Sequence, residues 1–199
     1  MANKKLKVAL SEVANTADGI AASGAITLSA AGIVHKKFII SLDALGRGAT
    51  APALVRLGSF AGYEYDIGDD SHFSFEPPDD WQSGTDLLVK VYWYYNETYA
   101  ANSGEVRWQG VYACVPDDAS EAVDAPTHTG TINSGDINLP ATAKALTDGT
   151  LTIPAASIAA IDVIGILFSR VALGAGNNPV AKPTIIRVEV YYHANKLGS

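Results

Sequence analysis

Residues 86–100, DLLVKVYWYYNETYA, alternate with a period of two. Read as a strand, they put Leu87, Val89, Val91, Trp93 and Tyr95 on one face and Leu88, Lys90, Tyr92, Tyr94 and Asn96 on the other. The first row is a core row. The second is half aromatic, which a solvated face does not need; it suits a second packed layer, a sugar-binding platform or a contact between subunits. The same alternation recurs in KKFIISL, ALVRLGSFAGYEYDI, SHFSFE (Phe73 and Phe75 on one side), GEVRWQGVYACV, THTGTI, KALTDGTLTIP, DVIGILFSRVAL and TIIRVEVYYHA. Asp148-Gly149 reads as a hairpin turn that breaks KALTDGTLTIP, and IPAASIAA as one turn of helix. The pattern predicts about eight or nine short strands with almost no helix. The 18 glycines and 9 prolines gather at the turns. The fold class expected is all-β, an antiparallel two-sheet β-sandwich of jelly-roll type.

Residues 1–34 differ from the rest: they are rich in Ala, Ser and Gly and lack aromatic residues. They read as an extended N-terminal arm, with a strand at residues 25–29, ahead of a domain spanning residues 35–199. Near the start, Leu6, Leu10 and Val13 fit a helix as well as Leu6, Val8 and Leu10 fit a strand.

Composition narrows the function classes. With 199 residues, 48% hydrophobic and 18% charged, the chain can bury a real core. A net charge of -7 argues against sequence-independent nucleic-acid binding. The longest apolar run, IAAIDVIGILF, is interrupted by Asp162, and the N-terminus has no long apolar segment, so neither a membrane span nor a signal peptide is expected. Cys114 is the single cysteine, which excludes an intrachain disulfide and a cysteine zinc site; an inert buried thiol is expected. No phosphate-binding glycine loop is present, and no cofactor is expected.

The candidate chemistry is sparse. Glu64 and Asp66, two apart, resemble the first two carboxylates of a glycosidase strand, but Gly68 stands where the third would be. With no nucleophile motif either, no enzyme is expected. Asp66, Asp69 and Asp70 are the candidates for a calcium ion, although their spacing is not that of a known calcium loop and capping of a turn explains them as well. His35, His72, His128 and His193 are isolated in sequence and read as strand-end or interface residues rather than ligands. Trp93 and Trp108 are expected on paired strands in the core. Tyr92, Tyr94 and Tyr99, one of Tyr191 and Tyr192, and Trp81 in its loop are the candidates for an interface or a ligand contact. Packing against another subunit or the arm is the preferred reading, ahead of glycan binding or incidental exposure.

The order of motifs, from DALGRGATAPA through GYEYDIGDDSHFSFEPPDDW, VKVYWYYNE and GEVRWQGVYACVPDDASEAVDAP to TIPAASIAAIDVIGILFSRVAL and IIRVEVYYHANKLG, resembles a family of virion proteins of tailed phages. The resemblance spans residues 35–198; the arm has no counterpart in it. It implies a jelly roll carried on the virion as a capsid decoration or a head or tail appendage. The implied partners are other copies of the chain, most readily as a trimer, the major capsid protein and a host surface glycan. It carries over no catalytic residue.

Overall fold

In the computed structural model, residues 26–27, 34–97, 104–159, 161–174 and 178–197 are described. Fourteen strands follow in chain order: β1 (Ile26–Thr27), β2 (Val34–Ile40), β3 (Gly46–Arg47), β4 (Ala53–Leu57), β5 (Phe60–Glu64), β6 (Asp70–Phe75) and β7 (Leu87–Tyr94). The second half holds β8 (Glu105–Pro116), β9 (His128–Asn133), β10 (Ile137–Asn138), β11 (Thr147–Ile153), β12 (Asp162–Val171), β13 (Thr184–Ala194) and β14 (Lys196–Leu197). Two short 3-10 turns, Leu42–Ala44 and Ala155–Ser157, are the helical elements among the described residues. No helix there is long and apolar enough to cross a membrane.

β1 and β14 form a two-stranded sheet, and the other twelve strands form two six-stranded antiparallel sheets, as the alternation predicts. One runs β10-β8-β12-β6-β3, with β9 also on β8; the other runs β11-β7-β13-β5-β4, with β2 also on β13. Strands adjacent in sequence mostly fall in different sheets, which is how a jelly roll wraps a chain around its core. This corrects one expectation. Trp93 in β7 and Trp108 in β8 are not on paired strands; they meet across the sandwich, ring centroids 6.2 Å apart and edge to face. Tyr65 and Phe168 complete the cluster, Phe168 stacked on Trp108 at 5.2 Å and Tyr65 edge-on to it at 5.6 Å. Around it lie the inward rows Leu87, Val89 and Val91, then Ile164 and Ile166, then Val188 and Val190, all at most 2% exposed.

Asp148-Gly149 does not turn. β11 runs straight through it, pairing Asp148 with Tyr92 and Gly149 with Val91. The glycine is there for space: a Cβ on it would lie 2.5 Å from Ile137 Cδ1. Of residues 1–34, Ile26 and Thr27 form β1, which pairs with β14 through Ile26–Leu197 and Thr27–Lys196, and Val34 opens β2.

A buried cation closes one end of the sandwich. Arg170, 1% exposed, donates from Nη1 to the carbonyls of Tyr65 and Ala181 and from Nη2 to that of Pro179. Three carbonyls satisfy most of a desolvated guanidinium and tie the loop before β13 to the end of β5.

The β4–β5 hairpin holds to the sheet by only two registered pairs, Thr184–Glu64 and Ile185–Tyr63. Gly62 makes this approach possible, since a Cβ there would sit 2.4 Å from the Ile185 carbonyl oxygen. Backbone cannot swing aside as a side-chain tip can. Gly62→Ala is expected to cost about 1–3 kcal/mol, from overpacking against an unyielding neighbour. A denaturant midpoint equal to that of the parent would show that the hairpin docks more loosely.

Candidate functional site

The outer face of the β11-β7-β13-β2 sheet carries charged and aromatic side chains in contact with one another. Register sets it out in rows. Asp148, Tyr92 and Arg187 share one row; Thr150, Lys90, Glu189 and Ile39 the next; Thr152, Leu88, Tyr191 and Lys37 the third; His193 and His35 the last.

Glu189 is its centre and is fully buried. Its Oε1 accepts from Lys37 Nζ at 2.7 Å and lies 3.3 Å from Arg187 Nε, while its Oε2 accepts from the Tyr191 hydroxyl at 2.7 Å. Burial would raise this carboxyl, but hydrogen bonds from Lys37, Tyr191 and Tyr92, with the Arg187 charge, hold it at about 2. The hydroxyls of Tyr191 and Tyr92 meet at 3.0 Å, and this bond, with the one to Glu189, pushes the Tyr191 phenol well up. Arg187 lies 4.2 Å and Lys90 5.3 Å from the Tyr92 ring centre, and Lys37 5.5 Å from that of Tyr191. Lys90 also pairs with Asp148 at 3.1 Å.

The aromatic row is therefore largely engaged within the chain, which leaves less of it for the packing against another subunit or the arm expected from the sequence. Tyr92 and Tyr191 are half-buried with both hydroxyls engaged. Tyr94 lies on the outer side by register, opposite Thr184, yet is only 5% exposed, so the face is closed over at that end. Tyr192 points inward, as one of the Tyr191–Tyr192 pair must, and donates to Asp80 Oδ1 at 3.0 Å. Asp80, 4% exposed, also holds Lys36. Trp81 is 4% exposed instead of a free loop residue: its backbone bridges to Ala194, laying the loop along the end of β13. Tyr99 lies outside the described residues.

The acidic stretch does not converge on a point. β5 ends at Glu64, so Asp66 lies beyond the strand and the two carboxylates share no strand face. Asp66 pairs with Lys182 at 3.0 Å, and that contact holds its carboxyl below the usual range. Asp69 Oδ2 accepts from the Asp66 backbone N–H at 2.7 Å, and Asp70 Oδ1 from that of Thr50 at 3.0 Å. All three accept hydrogen bonds from protein groups or pair with them, as turn-capping residues do. Among the described residues no group of three or more His, Cys, Asp or Glu side chains is placed to hold a metal ion. Cys114 is fully buried, and burial pushes its thiol up to about 12.

Two histidines that look isolated in sequence are neighbours in space. His35 and His193 are direct partners across β2 and β13, ring centroids 4.6 Å apart. They border a cleft of about 450 Å³, together with Gly84, Thr85, Asp86, Leu88, Tyr191 and Tyr192. Only strand pairing brings these rings together, so no spacing rule could have found them.

No protein-family model matches this chain, and no curated protein matches it. Among solved structures it is similar to "xylan-binding module CBM15", at 13% identity and a TM-score of 0.43 over 81% of this chain and 97% of that one. A second is "Carbohydrate-Binding Module CBM36 in complex with calcium and xylotriose", at 16% identity and a TM-score of 0.41 over 80% and 99%. A third, "Structure of infectious bursal disease virus Gx strain", gives 12% identity and a TM-score of 0.29 over 96% of this chain and 43% of that one. At these identities and TM-scores the likenesses assign no function; the chain is an antiparallel jelly-roll β-sandwich in its own right.

Proposed function

We propose that this chain is a non-enzymatic structural component of a tailed-phage virion, a jelly roll that decorates or cements the capsid as a homo-oligomer. The observation that carries the self-associating part is where apolar side chains remain in water. Leu54 is 57% and Phe60 61% exposed on the β4–β5 hairpin, and β4 is an edge strand that pairs, among the described residues, with β5 alone. Ile39, 61% exposed, lies on β2, which shares that side of β13. Unlike β2, with its lysines, β4 carries a single charge, Arg56, to blunt its free edge. Fully burying a large apolar side chain contributes about 1.5–3 kcal/mol, so covering the exposed parts of these residues supplies a share of the cost of association, with the rest of the contact supplying the remainder. The virion and the trimer rest on the resemblance of residues 35–198 to phage proteins.

The alternative is a glycan-binding module of a tail or head fibre, favoured by the cleft beside Tyr191, where Thr85 and Asp86 supply hydrogen-bonding groups and Leu88 an apolar floor. Cosedimentation with capsid shells of the parent phage separates the two. Saturable binding to shells, unaffected by free sugar, supports the structural role. Binding to host polysaccharide that free sugar displaces, with none to shells, would replace it with the second reading. Neither reading includes turnover, so release of reducing ends from any polysaccharide would contradict both.

A further inference from the structure

We infer that His35 and His193 form a two-histidine chelating site for a borderline divalent transition-metal ion of the Zn²⁺, Ni²⁺ or Cu²⁺ class. Directly opposed residues on antiparallel strands hold their Cβ atoms about 4.5–5.5 Å apart, a span across which two imidazoles can bind one ion. Here the rings already touch, with centroids 4.6 Å apart and planes at 86°. His193 Nδ1 is buried and has no hydrogen-bond partner among the described residues, so a donor-acceptor capacity stands unused beside the His35 ring.

The electrostatics favour a cation despite two lysines on the same strand. Lys36 is spent on Asp80 and Lys37 on Glu189, so neither presents a free charge to the rings. Asp86 lines the same cleft, is exposed, and has only its Oδ1 engaged, by the Ala155 N–H at 2.8 Å. The arrangement supplies two protein ligands and no third. The remaining coordination positions are left to water or to a donor from outside the chain. Neutral imidazole selects borderline ions over calcium and magnesium, which take oxygen ligands. The site owes nothing to the virion reading and would stand if that reading failed.

The test is calorimetric titration of the full, tag-free chain with ZnCl₂ near neutral pH, paired with electron paramagnetic resonance of the Cu²⁺-loaded chain. One ion per chain is expected, with two imidazole nitrogens on Cu²⁺. His35→Gln and His193→Gln should each weaken binding about tenfold or more, no less than losing a supporting partner does, and reduce the copper signal to one nitrogen. His35 is exposed, so its variant carries the test even if His193→Gln folds poorly. His72→Gln should leave binding unchanged. Failure to bind zinc, binding that survives His35→Gln at full strength, or binding lost in His72→Gln would each overturn the assignment.

Discussion

Trp108→Ala is expected to lower stability by about 3–5 kcal/mol, the range for deleting a large aromatic side chain from a packed core. Trp108 is fully buried and makes ring contacts with Trp93 from the other sheet, with Phe168 on the neighbouring strand, and with Tyr65 at the end of β5. No neighbour can collapse into the space without pulling on both sheets, which places the loss toward the upper end. For a chain of this size, each kcal/mol shifts the melting temperature by about 2–4 °C, so the midpoint should fall by roughly 6–20 °C. Near-ultraviolet circular dichroism should weaken with it, because the coupled rings generate that signal. A shift within about 2 °C, below what even 1 kcal/mol produces, would mean that the tryptophan pair does not join the sheets.

The second large effect is a pH dependence centred on Glu189. Its folded carboxyl sits at about 2, against an ordinary value of 4.5. A carboxyl lowered by folding stabilises the native state fully above its unfolded value. That contribution is lost as pH falls through the folded value, here from about 4.5 down to about 2. The difference corresponds to on the order of 3 kcal/mol. Glu189→Gln should remove this dependence and cost up to about 3 kcal/mol at neutral pH, because the bonds from Lys37 and Tyr191 lose their charged acceptor, while the exposed Lys37 and Arg187 turn to water. Urea midpoints measured from neutral pH to pH 2 in both proteins check it. Asp66 and Asp80 are also lowered and contribute to the acid limb of both, so the informative quantity is the difference between the curves. Parallel curves would show that Glu189 is not held as a charge.

Much of the fold was legible because alternation reports directly on which side a residue faces. The inward row from Leu87 to Trp93, the pair Phe73 and Phe75, and the buried Cys114 all follow from a period of two. Alternation is silent on partners. It could not tell that Trp93 and Trp108 face each other from separate sheets, nor that His35 would lie beside His193. Asp148-Gly149 has a turn's composition, but a glycine also serves where packing leaves no room for a Cβ, and local sequence does not distinguish the two uses. The contacts of the tyrosines were illegible for a related reason. An outward register position is not an exposed one when long basic side chains from the next strand lie over the ring and a buried carboxylate takes the hydroxyl, as for Tyr92 and Tyr191. What remained for self-association was the β4–β5 hairpin, whose exposed Leu54 and Phe60 sit in an alternating stretch that looks, in sequence, like any core strand.

Light scattering on the purified full chain at micromolar concentration, with Leu54→Ser/Phe60→Ser beside it, reads whether the chain self-associates through the β4–β5 hairpin. The parent is expected to have an oligomeric mass, most readily three chains, and the hairpin variant to be a folded monomer. A monomeric parent, or a hairpin variant that keeps the parent's mass, would contradict self-association through the hairpin.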